Sequence, residues 1–190
     1  MIRQLVVIGT TIAVILVAGA GAAWAADHTV DGTLKTQVTL QITSAETCNP
    51  AAPTQPSDYL CRYLTKGKYL EGGYLAHGRI RTRQIYDYQT LAYNSTYRLK
   101  CLQVSGTFKF KNSSGTLRTT ILAANSVACQ ESGGRGVWDE HLALGFTGGS
   151  YGAYRNVTGV DVQVDSTWTP GSLSGTYDER AQFAGNITSR

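Results

Sequence analysis

The stretch GFTGGSYGAYRNVTG, residues 145–159, holds five glycines in fifteen residues and lies between two runs in which apolar and polar residues alternate. Three readings compete for it: a phosphate-cradling loop, a linker, or the corner of a sheet. A phosphate loop needs a helix behind it, so that free amides and the helix dipole face the anion. Gly159 instead leads into VDVQVDSTW, an alternating strand pattern, and the chain has no G-K-[ST] or G-x-G-x-x-G motif. A linker has no anchors, whereas Phe146, Tyr151, Tyr154 and Val157 are spaced through the stretch as buried side chains would be. There remains a tight passage between neighbouring strands, where glycine permits positive φ and close backbone approach.

The flanking alternation recurs along the chain, and period two marks strands with one dry face. In TLKTQVTLQIT, residues 33–43, Leu34, Thr36, Val38, Leu40 and Ile42 share one parity. The inward set of CLQVSGTFKFK, residues 101–111, is Leu102, Val104, Gly106, Phe108 and Phe110. Trp138, Leu142, Leu144 and Phe146 fall together in residues 137–146, and Val160, Val162, Val164 and Trp168 do so in residues 160–168. The last run, residues 173–187, groups Leu173, Tyr177, Ala181, Phe183 and Ile187. With GTLRTTIL from Gly115 and the tyrosine-rich segment between Gly72 and Tyr93, seven or eight strands are expected. That number in one domain points to an all-β barrel or sandwich. The phrases Asp31-Gly32-Thr33, Ser105-Gly106-Thr107, Ser114-Gly115-Thr116 and Ser174-Gly175-Thr176 are unequally spaced and read as turn and bend punctuation at strand starts.

FKFKNSSGTLRTT, residues 108–120, reads as a hairpin whose turn is supplied by Asn112 to Gly115. Pairing Lys111 with Thr116 fixes the register and brings Cys101 opposite a residue just short of Cys129. One bulge or loop residue lets the two cysteines meet. The other two, Cys48 and Cys61, bracket the proline-rich segment CNPAAPTQPSDYLC, which has no periodicity of its own. Of the three pairings four cysteines allow, Cys48 with Cys61 and Cys101 with Cys129 is the favoured one. A zinc site is disfavoured, since no C-x-x-C occurs and His28, His77 and His141 are scattered; no metal and no other cofactor is expected.

The first residues read as a secretory signal peptide: Arg3, an apolar run from Leu5, and small residues at Ala23 and Ala25, with cleavage expected after Ala25. A membrane anchor is the alternative, but Thr10, Thr11, Gly19 and Gly21 interrupt the run and no basic stop comes after it. Residues 26–190 then form one domain, secreted or extracellular, where disulfides persist. Loss of Arg3 takes the formal charge from +4 to +3. That mild excess falls short of the basic stripe a nucleic-acid binder shows, and no nucleic-acid partner and, after cleavage, no membrane partner is expected.

The glycine stretch also carries a resemblance. FTGGSYGAYRNVTG resembles the F-T-G-G-T-G-x-Y-x-x-A-T-G signature of the dirigent and allene-oxide-cyclase-like barrels, many of them secreted bacterial proteins. SGTFKFKNSSGTLRTTI is similar to their G-T-F-x-F-x-x-x-x-G-T-L hairpin, and LSGTYDERAQFAGNI suits their closing strand. The resemblance covers roughly residues 98 to 187. It departs at Ser150-Tyr151, where the family has Thr-Gly, and at Asn156-Val157 before Thr158-Gly159. It implies a single closed eight-stranded antiparallel barrel with a cavity opening at one end, and relatives often form dimers or trimers, so a homo-oligomer is an expected partner.

Two residues break the apolar faces. Glu140 shares parity with Trp138, Leu142 and Leu144, and Glu179 shares it with Tyr177, Ala181 and Phe183. A carboxylate inside a small barrel is costly unless paired or neutralised. Arg98, on the parity of Leu102 and Phe108, is the candidate partner. Glu140 or Glu179 would be an acid/base in the cavity with Tyr177 donating a hydrogen bond, and Arg98, Trp138, Phe108 and Phe110 would line the ligand site. The alternatives are a rim position, a structural ion pair, or a bulge that flips parity. Arg79, Arg81 and Arg83 share a face in GRIRTRQIYDYQ, residues 78–89, either as an anion-binding strip or as a solvated sheet face. No G-x-S-x-G elbow occurs, which speaks against a hydrolase.

Three functions are consistent with these residues. The first is a secreted barrel that binds a small, largely apolar or aromatic molecule, or steers a reactive intermediate by confinement, as the resemblance implies. The second is a cyclase or isomerase using an inward carboxylate. The third is a structural or surface interaction module whose core is filled.

Overall fold

The structure is a computed structural model that describes residues 25–40, 48, 54, 56–130, 137–170 and 176–190. The expected signal peptide, Ile42, Leu173, the phrase at Ser174 and most of the proline-rich loop lie outside the described residues.

Among the described residues ten strands run in chain order: β1 (Ala26–Leu40), β2 (Leu60–Glu71), β3 (His77–Asn94), β4 (Leu99–Asn112), β5 (Gly115–Ile121), β6 (Val127–Gln130), β7 (Trp138–Phe146), β8 (Tyr151–Gly152), β9 (Val157–Pro170) and β10 (Thr176–Ser189). Single 3-10 turns occupy Pro56–Tyr59 and Ala123–Asn125. Each long strand pairs antiparallel with its neighbours in sequence, and β1 pairs with β10 to close the wall. The short strands β5 and β6 share one position, since both pair with β4 on one side and β7 on the other. The result is a closed eight-stranded antiparallel barrel of up-and-down topology, and closure leaves the long strands without a free edge.

The hairpin forms in the expected register, Lys111 opposite Thr116 and Phe108 opposite Thr119. Beyond it the 3-10 turn at Ala123–Asn125 adds three residues to the β5–β6 side, which sets Cys101 directly opposite Cys129. Both expected disulfides, Cys48–Cys61 and Cys101–Cys129, are formed. They are compatible with an extracellular protein.

The glycine stretch is a passage between strands. After Phe146 the chain leaves the wall through Gly148 and Gly149, both at positive φ, and lays Tyr151–Gly152 beside Gly115 and Thr116 of β5. Gly152 is at φ 68°, and a Cβ there would run into the Ser114 carbonyl, so only glycine fits without a shift. Of the four expected anchors, Tyr154 and Val157 are buried, whereas Phe146 and Tyr151 are exposed. Phe146 has the inward parity but stands at the last position of β7, opposite Thr119 of β5 and one residue beyond the last pair with β9, and Tyr151 lies opposite Thr116 on the outer face. The phrases at Gly32 and Gly106 sit within β1 and β4 rather than at their starts, so they mark bends within strands.

The interior divides lengthwise. The lower half, near the β2–β3, β4–β5 and β7–β9 connections, is apolar: Phe110 meets Tyr69 edge-on at 5.2 Å between ring centroids and stands 5.4 Å from Phe183, with Phe108 behind at 4.9 Å. Tyr154 caps this end, accepting a hydrogen bond from Asn112. The upper half is polar.

Candidate functional site

The upper half is built where five staves bring inward side chains to one level. Period two turns Glu140 of β7 inward between Ala128 and Ser166 of the adjoining strands, and it turns Glu179 of β10 inward between Thr36 and Trp168. Both carboxyls are buried, at 0% and 2% exposure. This is the arrangement expected for the two glutamates from parity.

Their partners are neutral. Glu140 Oε2 accepts from Gln84 Nε2 at 3.1 Å, Ser166 Oγ at 3.0 Å and Trp168 Nε1 at 3.1 Å, and Oε1 accepts from the Tyr86 hydroxyl. Glu179 accepts from Thr36 Oγ1. Ser166 and Trp168, which donate to Glu140, also stand next to the Glu179 carboxyl, and Trp168 is directly opposite it on β9. Hydrogen bonds to a carboxylate lower its pKa, whereas burial and a second carboxylate raise it. Burial wins: with Glu179 adding to it, the Glu140 carboxyl is pushed up to about 8. Glu179 is raised as well, again chiefly by burial. Tyr86 is held far above the ordinary phenol value by burial and by the Glu140 charge, so it stays a donor.

Above the pair stands a collar of aromatic rings. Tyr63 lies 4.8 Å from Tyr86 and 5.2 Å from Trp168, centroid to centroid. Trp138 faces Tyr86 at 5.8 Å and Tyr88 at 6.1 Å, and Tyr177 lies beside Trp168 at 5.8 Å. Tyr63, Tyr88 and Tyr177 are only partly buried, so the collar is where the polar half meets the upper end.

Several expected roles change. Arg98 is not the partner of either glutamate: it lies exposed in the β3–β4 turn at φ 57°, before β4 begins, so the parity counted back from Leu102 does not extend to it. Tyr177 contributes its ring to the collar, and the phenol that donates to a glutamate is that of Tyr86. Trp138 belongs to the collar, but Phe108 and Phe110 lie six and eight residues down β4 from Leu102, whose row contains Glu140, and they fill the lower half. Gln84, Tyr86, Ser166 and Thr36 belong to the site without standing out in the sequence, because none of them breaks an apolar face with a charge. Ser166 and Thr36 nevertheless lie on inward parities, and Gln84 and Tyr86 continue the face of Ile80 and Thr82.

Among the described residues no group of three His, Cys, Asp or Glu side chains is placed to hold a metal ion. What the buried pair can do is hold a proton at neutral pH, while the partly exposed rings of Tyr63, Tyr88 and Tyr177 offer aromatic surface at the upper end. The chain matches no family model, no curated protein and no solved structure.

Proposed function

We propose that this is an exported barrel that receives a small, largely apolar or aromatic molecule at its upper end, either to carry it or to steer a reactive form of it by confinement. The ring system would lie in the collar of Tyr63, Tyr88, Trp138 and Tyr177, with a polar end over the glutamic acid pair. The observation that carries this reading is two buried carboxyls, with no cation paired to them among the described residues, beneath a partly exposed aromatic collar. Apolar residues of the same size would fill a barrel more stably than two acids do. A strongly perturbed acid at a cleft is where function concentrates. The likeness of residues 98–187 to dirigent and allene-oxide-cyclase-like barrels supports the same reading, and the apolar leader and two disulfides support export.

A second reading is favoured by one feature, the proton that Glu140 keeps to about pH 8. A general acid works best when its pKa lies near the working pH. In that reading the protein is a cyclase or isomerase, Glu140 protonates the substrate, and Tyr86 positions the carboxyl.

Native mass spectrometry of the protein from its own host, with quenching of tryptophan fluorescence by a neutral flat probe such as 1-aminoanthracene, tests both. A carrier gives a co-purified molecule or probe binding that survives Glu140→Gln within a few-fold. An enzyme turns over the co-purified molecule and loses that turnover, with binding intact, in Glu140→Gln. Absence of both cargo and probe binding overturns the two readings and leaves a filled structural core.

A further inference from the structure

The outer wall carries a feature the chamber does not use. Between Tyr59 and Gln130 there are eleven lysines and arginines and two carboxylates, Glu71 and Asp87. Glu71 turns away, accepting the amides of Leu75 and Ala76, and Asp87 caps the amide of Gln89.

Strand register sorts these cations into rows. Lys66 opposes Arg81, Arg81 opposes Lys109, and Lys109 opposes Arg118, one cation on each of four consecutive strands. One step along the strands, a second row runs Arg180, Lys35, Lys68, Arg79, Lys111 across five. Among the described residues none of the nine is in an ion pair. Like charges directly opposed on a sheet face destabilise it. Edge protection does not explain them, because the barrel is closed and these strands are paired on both sides.

The rows frame a groove of about 520 Å³. Its lining includes Thr116, 4% exposed, whose outward hydroxyl has no hydrogen-bond partner among the described residues. Tyr151 stands at the groove 49% exposed, a free aromatic face beside the cations. A second depression, with Arg62, Arg83 and Lys109 in its lining, continues it along the wall.

We propose that this groove binds a linear acidic polysaccharide. Four strands at about 4.8 Å span roughly 14 Å across the wall, so each row lays a string of positive charges at right angles to the strands. A sugar chain carrying carboxylate or sulfate groups repeats its charges along such a line. The exposed Tyr151 ring offers an apolar face for a sugar ring. A flat anionic membrane does not seat in a groove, and a single-stranded nucleic acid needs several aromatic platforms where this groove has one.

The test uses the full mature chain, polyuronate and dextran sulfate as probes, neutral dextran as the uncharged comparison, and phosphatidylglycerol vesicles and single-stranded DNA as competitors. Binding by affinity electrophoresis or calorimetry at low salt is expected for the two acidic glycans and to fall as salt rises. The double variant Arg81→Gln/Lys109→Gln is expected to weaken it at least about tenfold. The same variant is expected to melt at the same or a higher temperature, because it removes opposed like charges. Arg155→Gln, in the turn before β9, is expected to leave binding within about twofold. Lys109→Gln alone is expected to move both readouts in the same directions by a smaller amount. Equal loss in Arg155→Gln, a lowered melting temperature of the row variant, or tighter binding to vesicles or DNA than to either glycan overturns the proposal.

Discussion

At Glu140, burial and the nearby Glu179 carboxyl outweigh four hydrogen bonds, and the proton stays on to about pH 8. The unfolded chain releases the same proton near the ordinary 4.5, so the folded state binds it more tightly across the interval between. Stability on this account is fully present below the unfolded value and is lost as pH rises through the folded one. Thermal melts from about pH 5 to about pH 9 should show a falling midpoint, and Glu140→Gln should flatten that fall. Tyr86→Phe removes the donor to a carboxyl oxygen that has no access to water. It should cost about 1–3 kcal/mol in denaturant unfolding, measured near pH 7. The two acids were legible in the sequence because each sits within an alternating run, where one index fixes the face. Tyr86 and Gln84 were as legible by the same count from Ile80, but eleven tyrosines crowd the chain and conceal which one turns inward. Arg98 misleads because alternation is a property of strands, and a residue at positive φ ahead of β4 restarts the count.

Among the elements, β8 shows what the glycine stretch is for. Gly152 lies at positive φ, and a Cβ there would run into the Ser114 carbonyl and fall 2.7 Å from the Gly115 Cα, whereas a Cβ at Gly148, also at positive φ, would meet nothing within 4 Å. Gly152→Ala therefore meets both backbone strain and a clash, and Gly148→Ala meets strain alone. The first should destabilise by about 2–3 kcal/mol and the second by about 1, read from chemical unfolding midpoints. The strands themselves were readable because each has a wet and a dry face, and the tight β4–β5 turn fixes its register from composition. The division of one stave into β5 and β6 was not readable. It depends on the 3-10 turn at Ala123–Asn125, where Ser126 Oγ accepts the Ala143 amide and Leu122 donates to the Ala143 carbonyl, contacts that join distant parts of the chain. The exposure of Tyr151 was hidden for the same reason, since its outer-face position results from the pairing of β8 with β5.

For the whole molecule, both disulfides lie at the upper end, at the starts of β2 and β4, while the lower end is held by packed rings. Replacing Cys101 and Cys129 by alanine should cost about 3–4 kcal/mol for the 28-residue separation they close. Hydrogen exchange should then quicken in residues 99–103 and 127–130 more than in residues 106–111 and 115–121, which belong to the dry half. Closure itself has a further result. β1 and β10 lie side by side over fourteen residue pairs, beginning with Ala26 opposite Ser189, so the two tails of the domain emerge together at its lower rim. Covalent splicing of those tails by a short flexible tether, with a fresh opening cut between Ser113 and Ser114, would preserve every pairing in the wall, and such a rearranged chain is expected to regain the same far-ultraviolet circular dichroism.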